Sequence, residues 1–143
     1  MARKTKQEAE ETRESILQSA AEVFVKKGVA GASLEEIARH AGVTRGAVYW
    51  HFKNKVDIFT ALHEQLFMST ADMILQELER SHPRPLDQLR DLCVSLFEDL
   101  EKNPQKKRIL TIFFMKCDYS GEFEAFLDYQ KKQKSKNFGL LAK

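Results

Sequence analysis

Ser33, Thr44 and Asn54 are all residues of the kind that start helices, and they fall close together in this chain. A side-chain oxygen at such a position accepts a hydrogen bond from a free amide in the first helical turn. Gly28 and Gly42 lie just before the first two of these starts, where glycine ends a helix. The spacing therefore predicts two very short helices, one closing at Gly42 and the next running from Thr44 to about His51. Ser33-Leu34-Glu35-Glu36 reads as a capping box, with Glu36 reaching back to the Ser33 amide. Short helices bury little by themselves, so their neighbours must supply the core.

Those neighbours are visible in the periodicity. Ile16, Leu17, Ala20, Ala21 and Phe24 form one face of a first helix over about 8–27. Asn54, with Asp57 in the first turn, opens a long fourth helix carrying Ile58, Phe59, Leu62, Leu66, Met73, Ile74 and Leu78 to about Arg80. His82-Pro83-Arg84-Pro85 interrupts the pattern, because proline breaks a helix interior. Leu86, Leu89, Leu92, Cys93, Leu96, Phe97 and Leu100 predict a fifth helix. Asn103-Pro104 pairs a cap with a proline at the first helical position, opening a sixth helix that carries Ile109, Leu110, Ile112, Phe113, Phe114 and Met115. Ser120-Gly121 separates this from a seventh helix with Phe123, Phe126, Leu127 and Phe138. No period-2 alternation occurs, so the expected class is all-α. A three-helix head over residues 1–55 is joined by the long fourth helix to a partial body over residues 56–143.

Several classes are disfavoured. Apolar residues make up 43% and charged residues 31% of the chain, the balance of a globular protein rather than a disordered one. No apolar run reaches membrane-spanning length, and the charged start MARKTKQEAEETRE lacks the apolar stretch of a secretory signal, so a cytoplasmic location is expected. Cys93 and Cys117 have no metal-ligand spacing and are expected to act as small buried hydrophobes. His40, His51, His63 and His82 have no sequence-adjacent metal or nucleophile partner at useful spacing, so neither an enzyme nor a cofactor is expected. The net charge is only +2, but residues 1–55 hold ten Lys/Arg against seven Asp/Glu, and residues 56–143 hold thirteen against fourteen. A mildly basic head fits contact with nucleic acid.

The head carries three features that a structural bundle does not need. Ala41-Gly42-Val43 is a short turn that lets two helices cross steeply, as in a helix-turn-helix. The third helix then reads Thr44-Arg45-Gly46-Ala47-Val48-Tyr49-Trp50-His51. Ala47 and Val48 can pack inward. Arg45 can pair bidentately with a guanine edge, and Gly46 lets the backbone approach DNA closely. Thr44, Tyr49 and His51 offer donors for phosphate oxygens. The competing reading is an aromatic core cluster with a stray Arg, and Trp50 is expected to pack between helices. Finally, Lys53-Asn54-Lys55 puts cations at a helix start, which the dipole disfavours unless a phosphate sits there. Ordinary solvated lysines are the alternative. Arg3, Lys4 and Lys6 can form a basic arm or simply solubilise the chain.

These residues carry a resemblance. GVTRGAVYWHFKNK at 42–55 and SLEEIARHA at 33–41 resemble the recognition-helix region of the TetR family of transcriptional repressors. The opening MARKTKQEAEETRESIL is similar to the multidrug-efflux branch typified by AcrR and TtgR, as, more loosely, is MKCDYSGEF at 115–123. The resemblance implies a homodimer on a palindromic double-stranded DNA operator, released when a small hydrophobic or amphipathic effector enters the body and shifts the fourth helix. It implies DNA contacts at Thr44, Arg45, Gly46, Tyr49, His51 and Lys55. His63, Phe67, Cys93, Phe97, Phe113, Phe114 and Cys117 offer aromatic, soft and polar surface for the effector, or else fill a core. Family members continue through two further helices that form the dimer interface, so a truncated chain is expected here. The alternative function is an interaction protein that pairs with a full-length regulator and lacks repressor activity of its own.

Overall fold

The computed structural model describes residues 5–141, with side chains described through residue 135. Arg3 and Lys4 lie outside the described residues, as does the side chain of Phe138. Seven α-helices follow in order: α1 (Lys6–Lys27), α2 (Leu34–Ala41), α3 (Arg45–His51), α4 (Lys55–Glu79), α5 (Pro85–Lys102), α6 (Pro104–Thr111) and α7 (Glu124–Leu141). No strand occurs among the described residues.

The head is built by its caps. The Ser33, Thr44 and Asn54 side chains accept from the amides of Glu36, Ala47 and Asp57 respectively. Gly28 (φ 76°) and Gly42 (φ 69°) take positive φ at the ends of α1 and α2, where a side chain would be strained. The reciprocal arm of the capping box at Ser33 is absent: the Glu36 carboxylate turns instead to Lys27 and to the Ser33 hydroxyl. A full capping box forms at Thr5 and Glu8, where α1 begins.

One core runs through the head. Ile16, Leu17, Ala20, Ala21 and Phe24 of α1 meet Ile37 of α2, Val48 of α3 and Ile58, Phe59 and Leu62 of α4, all fully buried. Burying each of the larger side chains contributes roughly 1.5–3 kcal/mol, which is how the eight-residue α2 and seven-residue α3 hold together. Arg13 lies 5.2 Å above the Phe52 ring and covers it.

The same core continues into the body through Ile109 and Ile112, then Phe123 and Phe126. Phe59 is the centre of an aromatic group, with ring centroids 4.4 Å from Phe113, 5.1 Å from Phe123 and 4.9 Å from Phe126. The sixth helix does not stay α to Met115: Ile112–Lys116 form a π-helical turn. The Tyr119 hydroxyl donates to the Phe113 carbonyl at 2.7 Å within this turn. A short 3₁₀ turn, Gly121–Phe123, precedes α7. α5 has no buried residue, and Leu86, Leu89 and Phe97 are exposed along it. Among the described residues, no helix is long and apolar enough to cross a membrane.

Candidate nucleic-acid interface and body cavity

α3 presents its first turn outward. Its N-cap Thr44 is exposed and accepts from the Ala47 amide at 3.1 Å, leaving the hydroxyl proton free to donate. Arg45 is exposed and held in place rather than free. Its guanidinium lies 2.8 Å from Glu35 of α2 and 5.3 Å from the centre of the Tyr49 ring. Tyr49 first, and then the Glu35 carboxylate, raise its already high pKa. A Cβ placed on Gly46 would meet nothing closer than the Thr44 hydroxyl at 3.9 Å. Internal packing therefore does not require glycine there. Val48 points into the core, as the pattern of α3 predicts.

Trp50 departs from expectation. It does not pack between helices but stands 75% exposed, with His51 edge-on at 4.7 Å. The reason is geometric: α3 is seven residues long, and Val48 and Phe52 already fill its inward face. His51 is half-buried between Trp50 and Phe52. Lys55 is half-buried, and its ammonium donates to the carbonyls of Val29 at 3.0 Å and Ala30 at 3.4 Å. Lys53 and Lys6 are exposed.

Polar ties join the head to the body beside their shared core, among them Gln65 of α4, which donates to Glu14 of α1 at 2.8 Å. Glu22 of α1 meets the His40 ring of α2 at 2.5 Å and Arg108 of α6 at 3.7 Å. The His40 hydrogen bond, with help from Arg108, holds the Glu22 carboxyl below its usual range. In addition, the Val29 amide donates to the Lys116 carbonyl at 3.0 Å.

A cavity of about 510 Å³ opens between α4, α5 and α6. Of the candidate effector residues, His63, Phe67, Cys93 and Phe97 line it. Phe113 stands behind His63, 5.2 Å between ring centroids. Phe114 is 83% exposed and Cys117 half-buried, and neither is in the lining. Burial pushes the Cys117 thiol up to about 11 and the Tyr119 hydroxyl up to about 12. Cys93 is exposed, contrary to the expected burial, because no described residue covers that side of α5. Burial lowers the pKa of His63 and favours its neutral form. Lys106 and Asp99, not foreseen from the sequence pattern, form an ion pair in the cavity wall. Lys106 sits in the lysine-rich run Gln105-Lys106-Lys107-Arg108, which looks like a solvated surface.

An exposed, capped α3 set across α2 by a glycine turn defines a DNA-binding head of the helix-turn-helix class. Two family models match: bacterial regulatory proteins of the tetR family over residues 16–62, and the C-terminal region of MAATS-type transcriptional repressors over residues 84–142. The chain is 40% identical over 131 residues to the HTH-type transcriptional regulator AcrR of Shigella flexneri, covering 92% of this chain and 61% of that protein. It is 41% identical over 130 residues to the uncharacterized HTH-type transcriptional regulator TtgW of Pseudomonas putida, covering 85% and 87%. NalD, the secondary repressor of the MexAB-OprM multidrug efflux pump in Pseudomonas aeruginosa, superposes with a TM-score of 0.72 at 41% identity, covering 89% of this chain and 62% of NalD. A SmeT–triclosan complex superposes with a TM-score of 0.70 at 31% identity, covering 85% and 57%. The chain belongs to the TetR family of bacterial regulatory proteins. Its relatives are transcriptional regulators, not enzymes, and it spans about three-fifths of the length of AcrR and NalD.

Proposed function

We propose that the chain is a cytoplasmic, sequence-specific transcriptional repressor that binds a palindromic operator as a homodimer and is released by a small apolar effector, controlling a multidrug efflux operon. The observation that carries the DNA-binding part is the outer edge of α3. There a Cβ on Gly46 would meet only the Thr44 hydroxyl, at 3.9 Å, and Arg45 is poised beside it by Glu35 and Tyr49. In the bound state Arg45 exchanges Glu35 for a guanine edge, and Gly46 admits the groove wall. Thr44, Tyr49 and His51 reach phosphates. Lys55 has one further ammonium proton to offer a phosphate while it holds the carbonyls of Val29 and Ala30.

Effector release follows from where the cavity lies. α4 and α6 form two of its walls. α4 starts at the head, and α6 is tied to the head through Arg108 and Glu22. An effector that spreads these walls moves one recognition helix relative to its partner, and half-site spacing then disfavours the operator. His63, Phe67, Cys93 and Phe97 contact the effector, with Phe113 backing His63. A mobility-shift assay on the DNA upstream of the chain's own gene tests this reading, with and without triclosan. Retarded DNA that triclosan releases supports it. Binding equal to that on scrambled DNA would sink it.

A further inference from the structure

The cavity wall carries two charged side chains, Asp99 near the end of α5 and Lys106 in the first turn of α6. Each opposes its own helix dipole, which disfavours an acid near a C-terminus and a cation near an N-terminus. The pairing between them offsets this. Their exposures are unequal: the Lys106 side chain keeps 11% of its surface in solvent, and Asp99 keeps 34%. The inequality decides which partner a ligand can replace. A cationic ligand that captured Asp99 would leave the Lys106 ammonium buried and unpaired, the costly half of a broken ion pair. An anionic or strongly accepting ligand that captured Lys106 would leave Asp99 able to turn to water. His63, kept neutral by burial, adds a polar atom without adding charge. The remaining wall, including Leu66, Phe67, Leu96 and Leu110, accepts an aromatic body.

We infer that the cavity selects weakly acidic aromatic ligands, phenols and aromatic carboxylic acids, over cationic ones, and that Lys106 is the residue that determines this specificity. The inference rests on the effector-binding reading above. The ligand oxygen displaces Asp99 from Lys106, so binding also loosens the contact between α5 and α6.

Calorimetric titration of the full chain with triclosan, its O-methyl ether and the cation ethidium tests this. Triclosan should bind about tenfold more tightly than the ether, as a hydrogen bond to a charged group provides. That margin should widen as pH rises through the ionisation of the phenol, and ethidium should bind most weakly. Lys106→Met should abolish the preference while leaving affinity for the ether. Asp99→Asn should strengthen triclosan binding, because the competing carboxylate is gone. Thermal melts establish that both variants fold. A purely structural clamp predicts that both substitutions weaken every ligand alike, and that result overturns the role of Lys106. Equal binding of all three compounds to the unaltered chain overturns it as well, leaving the effector reading intact. If none of them binds, the effector reading falls too.

Discussion

Head and body use the same kind of amphipathic helix to opposite ends. In α1 the apolar stripe from Ile16 to Phe24 is wholly buried against α2, α3 and α4. In α5 the apolar stripe from Leu86 to Leu100 includes no buried residue, and Phe97 keeps 71% of its surface in solvent. Trp50 apart, the head thus commits its apolar residues to a closed scaffold and displays polar groups and a glycine at its surface. The body leaves apolar residues around an open cavity. A reader of DNA gains from rigidity, since base contacts tolerate little misplacement. A receptor for small apolar molecules needs an accessible apolar wall.

The sharpest way to break the contrast is to truncate one phenylalanine on each side. Phe24→Ala should destabilise by about 3–5 kcal/mol, enough to unfold much of the chain, whereas Phe97→Ala should stay within about 0.5 kcal/mol. Urea titration measures both, and similar costs would erase the distinction. Next in size, Arg45→Ala should lose about 1–3 kcal/mol of operator preference at a single base pair, seen as relaxed specificity in a competition assay. A uniform loss across all sequences would make Arg45 a phosphate contact instead.

Lys55→Met separates two roles of one side chain. If Lys55 meets a phosphate, the salt dependence of DNA binding should weaken by about one in slope. If it only holds the carbonyls of Val29 and Ala30, stability should drop by about 1 kcal/mol with the slope unchanged. Gly46→Ala should move two properties in opposite directions. The added methyl would rest in ordinary contact with the Thr44 hydroxyl at 3.9 Å, so the helix should gain about 0.5–1 kcal/mol in thermal stability while operator affinity falls. Improved affinity would show that α3 does not approach DNA at Gly46. The smallest effect belongs to the body. Burial lowers the His63 pKa below its ordinary 6.5, so the unfolded chain takes up the proton first as pH falls. Stability should therefore decline from pH 6.5 downward, until the folded form is protonated too. His63→Gln should remove that component from the pH profile of the melting temperature.

Local chemistry was the legible part of the fold. Ser33, Thr44, Asn54 and Asn103 cap as the sequence predicts, because each bond spans three residues and needs no tertiary partner. The core face of α1 was legible for a similar reason, since its period alone identifies it. What escaped depends on neighbours distant in sequence. Trp50 is the exception, a local one: it lies two residues from both Val48 and Phe52, so the helix turns it away from the face they fill. Glu36 found Lys27, nine residues away, in place of its own cap amide. Lys106 looked like one more surface lysine until α5 brought Asp99 against it. In the cavity, the pattern supplied His63, Phe67, Cys93 and Phe97 but also Phe114, because periodicity does not foresee a π turn that rotates the end of α6.

The peptide units around Val29 have a consequence for building chimeras. Its amide hangs on Lys116 of the body and its carbonyl on Lys55 at the root of α4. An engineer grafting this head onto a foreign body would naturally cut near residue 55. That cut keeps Lys55 with Val29 but hands the other bond to whatever backbone the recipient offers in place of Lys116. Hybrids should therefore keep this contact only when Lys116, whose carbonyl accepts the bond, is transplanted along with the head, even though it lies some sixty residues beyond the seam.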